Sequence, residues 1–183
     1  MRRNFFVGII ASVSLAIGST ISLTTPSEAS FKNTYYCAQL NGSWNTFVNT
    51  PRGRVKLVNW VKSFSDKWTP RNRCVDISQR FQKFLDAGTL RYIRTGRVNQ
   101  LPVICVAEFK GGTCPNNNVL ITLEPTIDPE SVLIRLLDFR RSVSGQTIVL
   151  NENDAGFYAD GDFYVDMNQF LKVVPIEDKQ SRQ

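Results

Sequence analysis

The sequence predicts an α+β protein: a single domain with a mostly antiparallel sheet, two main helices and disulfide staples. Three observations carry this. Short β-rich runs recur between turn signals, from Tyr35-Tyr36-Cys37 to Phe163-Tyr164-Val165. Two stretches with helical spacing each open on a capping residue followed by proline, Thr69-Pro70 and Asp128-Pro129. Four cysteines, Cys37, Cys74, Cys105 and Cys114, stand in a chain without histidine.

The first thirty residues read as an address. Met1-Arg2-Arg3-Asn4 is a short basic start, Phe5 to Leu23 carries no charge, and Ser27-Glu28-Ala29 sets small residues before a cut ahead of Ser30. This is the layout of a secretory signal peptide over residues 1–29. An uncleaved anchor is the competing reading, since nineteen apolar-rich residues could just cross a bilayer core of about 30 Å. Gly8, Ser12, Ser14, Gly18, Ser19, Thr20 and Ser22 dilute the stretch and favour the cleaved signal. The domain is expected over residues 30–175, followed by a polar tail over 176–183.

Strands are expected at Tyr35–Leu40 and Trp44–Asn49 around the hairpin signal Asn41-Gly42, with Val55–Trp60 as a third. Phe64–Thr69 reads as irregular. The first helix follows, with Cys74, Ile77, Phe81, Phe84 and Leu85 on one face and Gly88 as its stop, leaving Arg73, Arg80 and Lys83 pointing outward. Three strands are expected next: Leu90–Arg94, Pro102–Phe109 and Val119–Leu123, separated by Gly96–Gln100 and by Lys110–Asn118. Val103 to Ala107 is apolar on both faces and so should be internal to the sheet. The second helix is expected to bury Val132, Leu133, Leu136, Leu137 and Phe139 and to end before Gly145. Thr147–Leu150 reads as a further strand, Phe157-Tyr158 and Phe163–Val165 as short strands or turns, and Met167–Val173 as a last helix.

An even cysteine count in an exported chain reads as disulfides. Cys105 with Cys114 would close a hairpin loop around Lys110-Gly111-Gly112, which leaves Cys37 with Cys74 tying the first hairpin to the helix. No two cysteines are spaced CxxC and no histidine completes a zinc site, so no metal or cofactor is expected. The missing histidine also removes Ser-His and Cys-His nucleophile pairs. Glu108, Glu124, Asp128, Asp154, Asp160 and Asp162 are the acids from which a carboxylate pair would have to come, the basis for an envelope hydrolase as the alternative function. Asn151 to Gly156 with Asp160-Gly161-Asp162 faintly suggests calcium, but Ala155 stands at the fifth loop position and Asp162 at the twelfth, so turns explain the composition as well.

Charge is unevenly spread. Residues 52–97 carry twelve basic and three acidic side chains, and residues 98–183 seven basic and twelve acidic. The basic half interleaves Trp60, Phe64 and Trp68 with Lys56, Lys62, Lys67, Arg71 and Arg73. Such a pattern suits nucleic acid in a cytoplasmic protein. Export replaces nucleic acid with an anionic lipid surface or an acidic envelope polymer, and Lys62, Lys67, Arg71, Arg73, Arg80 and Lys83 are the expected contacts. The competing view makes the tryptophans core and the charges merely solvated. A protein-interaction module docking by a sheet edge or this basic face is a further alternative.

Several motifs together resemble the cyanobacterial circadian oscillating protein (COP) family. They are Thr69-Pro70-x-x-Arg73-Cys74-x-x-x-Ser78-x-Arg80-Phe81-Gln82, Gly96-x-x-Asn99, Pro102-Val103-Ile104-Cys105-Val106-Ala107, Cys114, and Leu123-x-Pro125-x-x-Asp128-Pro129. The likeness spans about Tyr35 to Leu137, and Cys37 fits it as well. Gln100 departs from it, standing where glycine is expected after Asn99. The resemblance implies small exported or membrane-associated proteins, an abundance rhythm in the named member, and no known catalytic activity, so it supplies no active-site residues.

Overall fold

The computed structural model describes residues 32–138 and 155–177. The expected signal peptide therefore lies outside the described residues. So do the side chains of Leu136 and Leu137, Phe139, the helix end before Gly145, the strand at 147–150, and Asn151 to Asp154.

The first three strands, β1 (Thr34–Leu40), β2 (Ser43–Thr50) and β3 (Gly53–Trp60), form an antiparallel sheet in sequence order. Asn41 and Gly42 turn the first hairpin with φ of 51° and 77°, the two positive values of a type I′ turn. After an irregular stretch, α1 (Pro70–Asp86) begins where the Thr69 hydroxyl accepts the Asn72 amide at 3.3 Å. It buries Cys74, Ile77, Ser78, Phe81 and Phe84. Ser78 is the polar member of that stripe; it and the Trp60 indole both donate to the Thr46 hydroxyl, at 3.0 Å each, which satisfies a polar cluster inside the core.

Strands β4 (Tyr92–Val98), β5 (Leu101–Ala107) and β6 (Val119–Thr122) are followed by α2 (Pro129–Asp138), β7 (Gly156–Ala159), β8 (Asp162–Asp166) and α3 (Met167–Val173). They build a second antiparallel sheet in the order β6-β5-β4-β8-β7. As its two apolar faces require, β5 is paired on both sides. Asp128 accepts from the Glu130 and Ser131 amides and from the Ser131 hydroxyl, which caps α2 and holds its carboxyl below the usual range.

One core joins both sheets. Val48, Val55 and Leu57 meet Phe81, Ile93, Ile104, Val106, Leu120, Leu133 and Phe163 there. The disulfides are Cys37–Cys74, which ties β1 to α1, and Cys105–Cys114, which closes the β5–β6 connection.

Two expectations change. Gly96 lies within β4, not in a turn: a β-carbon there would sit 2.7 Å from the Cys114 sulfur, so the glycine makes room for the disulfide. The turn itself is Asn99-Gln100, with φ of 49° and 63°. Ile176 and Glu177 belong to the packed body: Ile176 lies against Gly53, and Glu177, 9% exposed, pairs with Lys56 at 3.2 Å.

Candidate functional site

The basic–aromatic segment occupies the loop from Val61 to Thr69 and the first turns of α1. Its aromatics split between two roles. Trp60 is buried in the core, whereas Phe64 is 42% and Trp68 37% exposed, and Val61 is 71% exposed. Bonds at both ends hold the loop: the Phe64 amide donates to the Trp68 carbonyl at 2.9 Å, the Trp68 amide to the Ser65 hydroxyl at 3.2 Å, and the Asn72 and Arg73 side chains to the Lys67 and Lys62 carbonyls at 2.9 and 3.3 Å. Apolar side chains are thereby presented to solvent among Lys62, Lys67 and Arg71, all exposed.

The six basic residues singled out from the sequence do not form one set. Lys62, Lys67 and Arg71 share this surface, with the Arg71 guanidinium 5.7 Å from the Trp44 ring centre. Lys83 is exposed but lies thirteen residues beyond Pro70, about 20 Å along the helix at 1.5 Å per residue. Arg73 and Arg80 do not point freely outward; both are half-buried. Arg80 pairs with Asp76 at 2.9 Å and donates to the Val119 and Leu120 carbonyls at 3.4 and 3.3 Å, blunting the free edge of β6.

Arg73 is placed differently. Its guanidinium stacks on Trp60 at 4.6 Å, reaches Phe64 at 5.9 Å, and donates to the Lys62 carbonyl at 3.3 Å. Burial lowers its pKa and the Glu124 carboxylate pulls it back up, so charge balance here involves a residue far along the chain.

Beside the loop runs a groove of two lobes. One, of about 240 Å³, is lined by Phe64, Trp68, Ile77 and Ile121 together with Arg73, Asp76 and Arg80. The other, of about 260 Å³, lies among Trp60, Phe64, Leu123, Ile127 and Val132. Phe64, Arg73 and Ile121 belong to both. Sequence reasoning found the loop but not the β6 wall of Ile121 and Thr122 or the segment at Glu124–Ile127. No local pattern marks them, because pairing of β6 with β5 is what carries them to α1.

The candidate carboxylates have other positions. Asp128 caps α2, Asp162 pairs with Arg94, and Asp160 lies against Gly111 in the β7–β8 turn, where Asp160 and Gly161 have φ of 51° and 83°. Glu124 lines the groove and Glu108 is exposed on the far connection.

A second cationic cluster, unmarked in the sequence, covers the outer face of the five-stranded sheet. Arg94, 9% exposed, donates to the Gly112 carbonyl and the Tyr164 hydroxyl at 2.7 Å each, to the Thr95 carbonyl at 2.8 Å, and to Asp162. Burial raises the Tyr164 phenol, which stays protonated and donates to Gly112 at 3.0 Å. Phe157 stacks on Tyr164, and Lys110 lies 4.7 Å over Phe157.

The fold and this surface define a disulfide-bonded α+β domain with a basic, aromatic groove. The family model described as circadian oscillating protein COP23 matches residues 34–172, and the chain belongs to that family. No curated protein and no solved structure matches the chain. Among the described residues no helix is long and apolar enough to cross a membrane.

Proposed function

We propose that this chain is an exported, non-catalytic domain that attaches peripherally to an anionic membrane or acidic envelope surface through the loop at 61–69 and the start of α1. The observation that carries the reading is the exposure of Val61, Phe64 and Trp68 beside Lys62, Lys67 and Arg71. Aromatic side chains suit the interfacial zone of a bilayer, and each basic residue near anionic lipid contributes about 1 kcal/mol. Export is supported by the residues 1–29 pattern and by two disulfides, bonds that persist in oxidising compartments. Arg80 and Lys83 drop out of the contact set, the first because it holds the β6 edge and Asp76, the second because of its distance.

Sedimentation with phosphatidylglycerol vesicles tests this. Binding should be strong at low salt and fall steeply towards high salt. Reversing Lys62, Lys67 and Arg71 to Glu should reduce it at least a hundredfold, while Lys83→Glu leaves it within about twofold. Equal binding by wild type and the triple variant at low salt would refute the reading.

A further inference from the structure

Arg73 is the unusual cation of this molecule. A guanidinium carries five N–H donors, and among the described residues this one makes a single hydrogen bond, to the Lys62 carbonyl. Among the described residues it forms no ion pair; Glu124 acts on it only through space. It is stacked in place by Trp60, so its orientation is set before any ligand arrives. Both lobes of the groove open on it. Phe64, Trp68, Ile77 and Ile121 line one lobe with it, and the two lobes together fall in the range of small-molecule sites, about 300–1,000 Å³.

We propose that this groove binds one anionic single-chain amphiphile, its alkyl chain along Phe64, Trp68, Ile77 and Ile121 and its carboxylate or phosphate head on the Arg73 guanidinium. The match is chemical on both counts. The wall is apolar and half-open, as an alkyl chain requires, and the planar guanidinium offers paired donors to a carboxylate or phosphate. Lys62 and Glu124 both line the Trp60 lobe and offset one another there, which leaves Arg73 as the cation that reads the head group. Asp76 does not cancel this, because it is taken up by Arg80. The inference deepens the surface-attachment reading by giving the same region a defined lipid-like ligand, yet it requires no bilayer.

The test uses the full chain with both disulfides intact. Dodecanoate and dodecyl phosphate are titrated below their aggregation concentrations, with dodecyltrimethylammonium and inorganic phosphate as controls, by calorimetry and tryptophan fluorescence. Both anionic chains should bind saturably one to one, the tighter identifying the head group. The cationic chain and phosphate alone should bind at least tenfold more weakly. Thr122→Phe, which fills the first lobe from an exposed strand position, should lower affinity at least tenfold without shifting the unfolding midpoint or vesicle binding. Arg73→Met should erase the preference for anionic over cationic chains. Absence of saturable binding, an unaffected Thr122→Phe variant, or phosphate binding as tight as dodecyl phosphate would each overturn the proposal. Retained dodecanoate binding in a Lys67 and Arg71 reversal that has lost vesicle attraction leaves the groove standing. Vesicle binding without dodecanoate binding defeats the groove alone.

Discussion

Two arginines, one on α1 and one on the five-stranded sheet, show how the same side chain is put to opposite uses. Arg94, on the outer face of the five-stranded sheet, is 9% exposed and surrounded by acceptors: two backbone carbonyls, a phenol and the Asp162 carboxylate. Arg73, on α1 against the 61–69 loop, is half-buried on aromatic rings and uses one donor among the described residues. The first is a completed structural node, since a buried cation is tolerable only when its donors are matched. The second retains capacity for an anion. Satisfied donors, rather than charge or sequence position, separate a structural arginine from a ligand-ready one. Each region has its own staple: Cys37–Cys74 holds α1 under the loop, and Cys105–Cys114 holds the segment that brings the Gly112 carbonyl to Arg94.

Breaking the staples gives the largest effects. The Cys37–Cys74 bond spans a sequence separation of 37 and the Cys105–Cys114 bond one of 9. On the loop-entropy view, replacing Cys37 and Cys74 together by Ala costs about 4 kcal/mol, and Cys105 and Cys114 about 2.5 kcal/mol. Urea unfolding of the two double variants checks the order. A larger loss from the short loop would show that the Gly112 segment depends on its disulfide beyond chain entropy.

The arginines themselves are next. Arg94→Met removes donors from the buried Gly112 carbonyl and the Asp162 partner, and should cost about 2–3 kcal/mol. Asp162 is 43% exposed and can turn to water, which keeps the loss below that of a fully buried pair. Arg73→Met forfeits stacking on Trp60 and one weak hydrogen bond, about 1 kcal/mol. Equal destabilisation by the two substitutions would erase the distinction drawn between them.

The smallest effect is a gain. Gln100 holds φ of 63° in the β4–β5 turn, a left-handed conformation that costs an ordinary residue about 1–2 kcal/mol. Gln100→Gly relieves this but adds freedom to the unfolded chain, so the expected net gain is about 0.5–1 kcal/mol. It is readable as a raised urea midpoint without change in slope. Because Arg97 donates to the Gln100 carbonyl at 3.1 Å, a backbone contact, the substitution leaves that bond intact.

Much of this architecture was legible locally because its causes are local. Asn41-Gly42 demands a type I′ turn, Thr69-Pro70 and Asp128-Pro129 open helices with their own hydroxyl and carboxylate, and the two-faced apolar run of Val103 to Ala107 has to be paired on both sides. The exposed half of the candidate surface, Lys62, Lys67 and Arg71 around Phe64 and Trp68, was legible for the same reason: these residues are neighbours in the chain. Gly96 shows the limit. A glycine beside Asn99 reads as a turn, and only the approach of the Cys114 sulfur reveals that it serves packing inside a strand. Arg80 looked like a free surface charge until β6 arrived beside it to supply carbonyls thirty-nine and forty residues away in sequence.

What the sequence by itself determined is thus where elements begin, where they turn, and that the four cysteines belong to one stapled domain. Tertiary structure alone decided that the strands divide into two sheets, that β8 inserts beside β4, that Trp60 is core while Trp68 is surface, and that Arg94 is consumed while Arg73 is not. The physical reason is range. Dihedral preference, capping and alternation act over a few residues, whereas burial and donor satisfaction depend on atoms that only the folded chain brings within hydrogen-bonding distance.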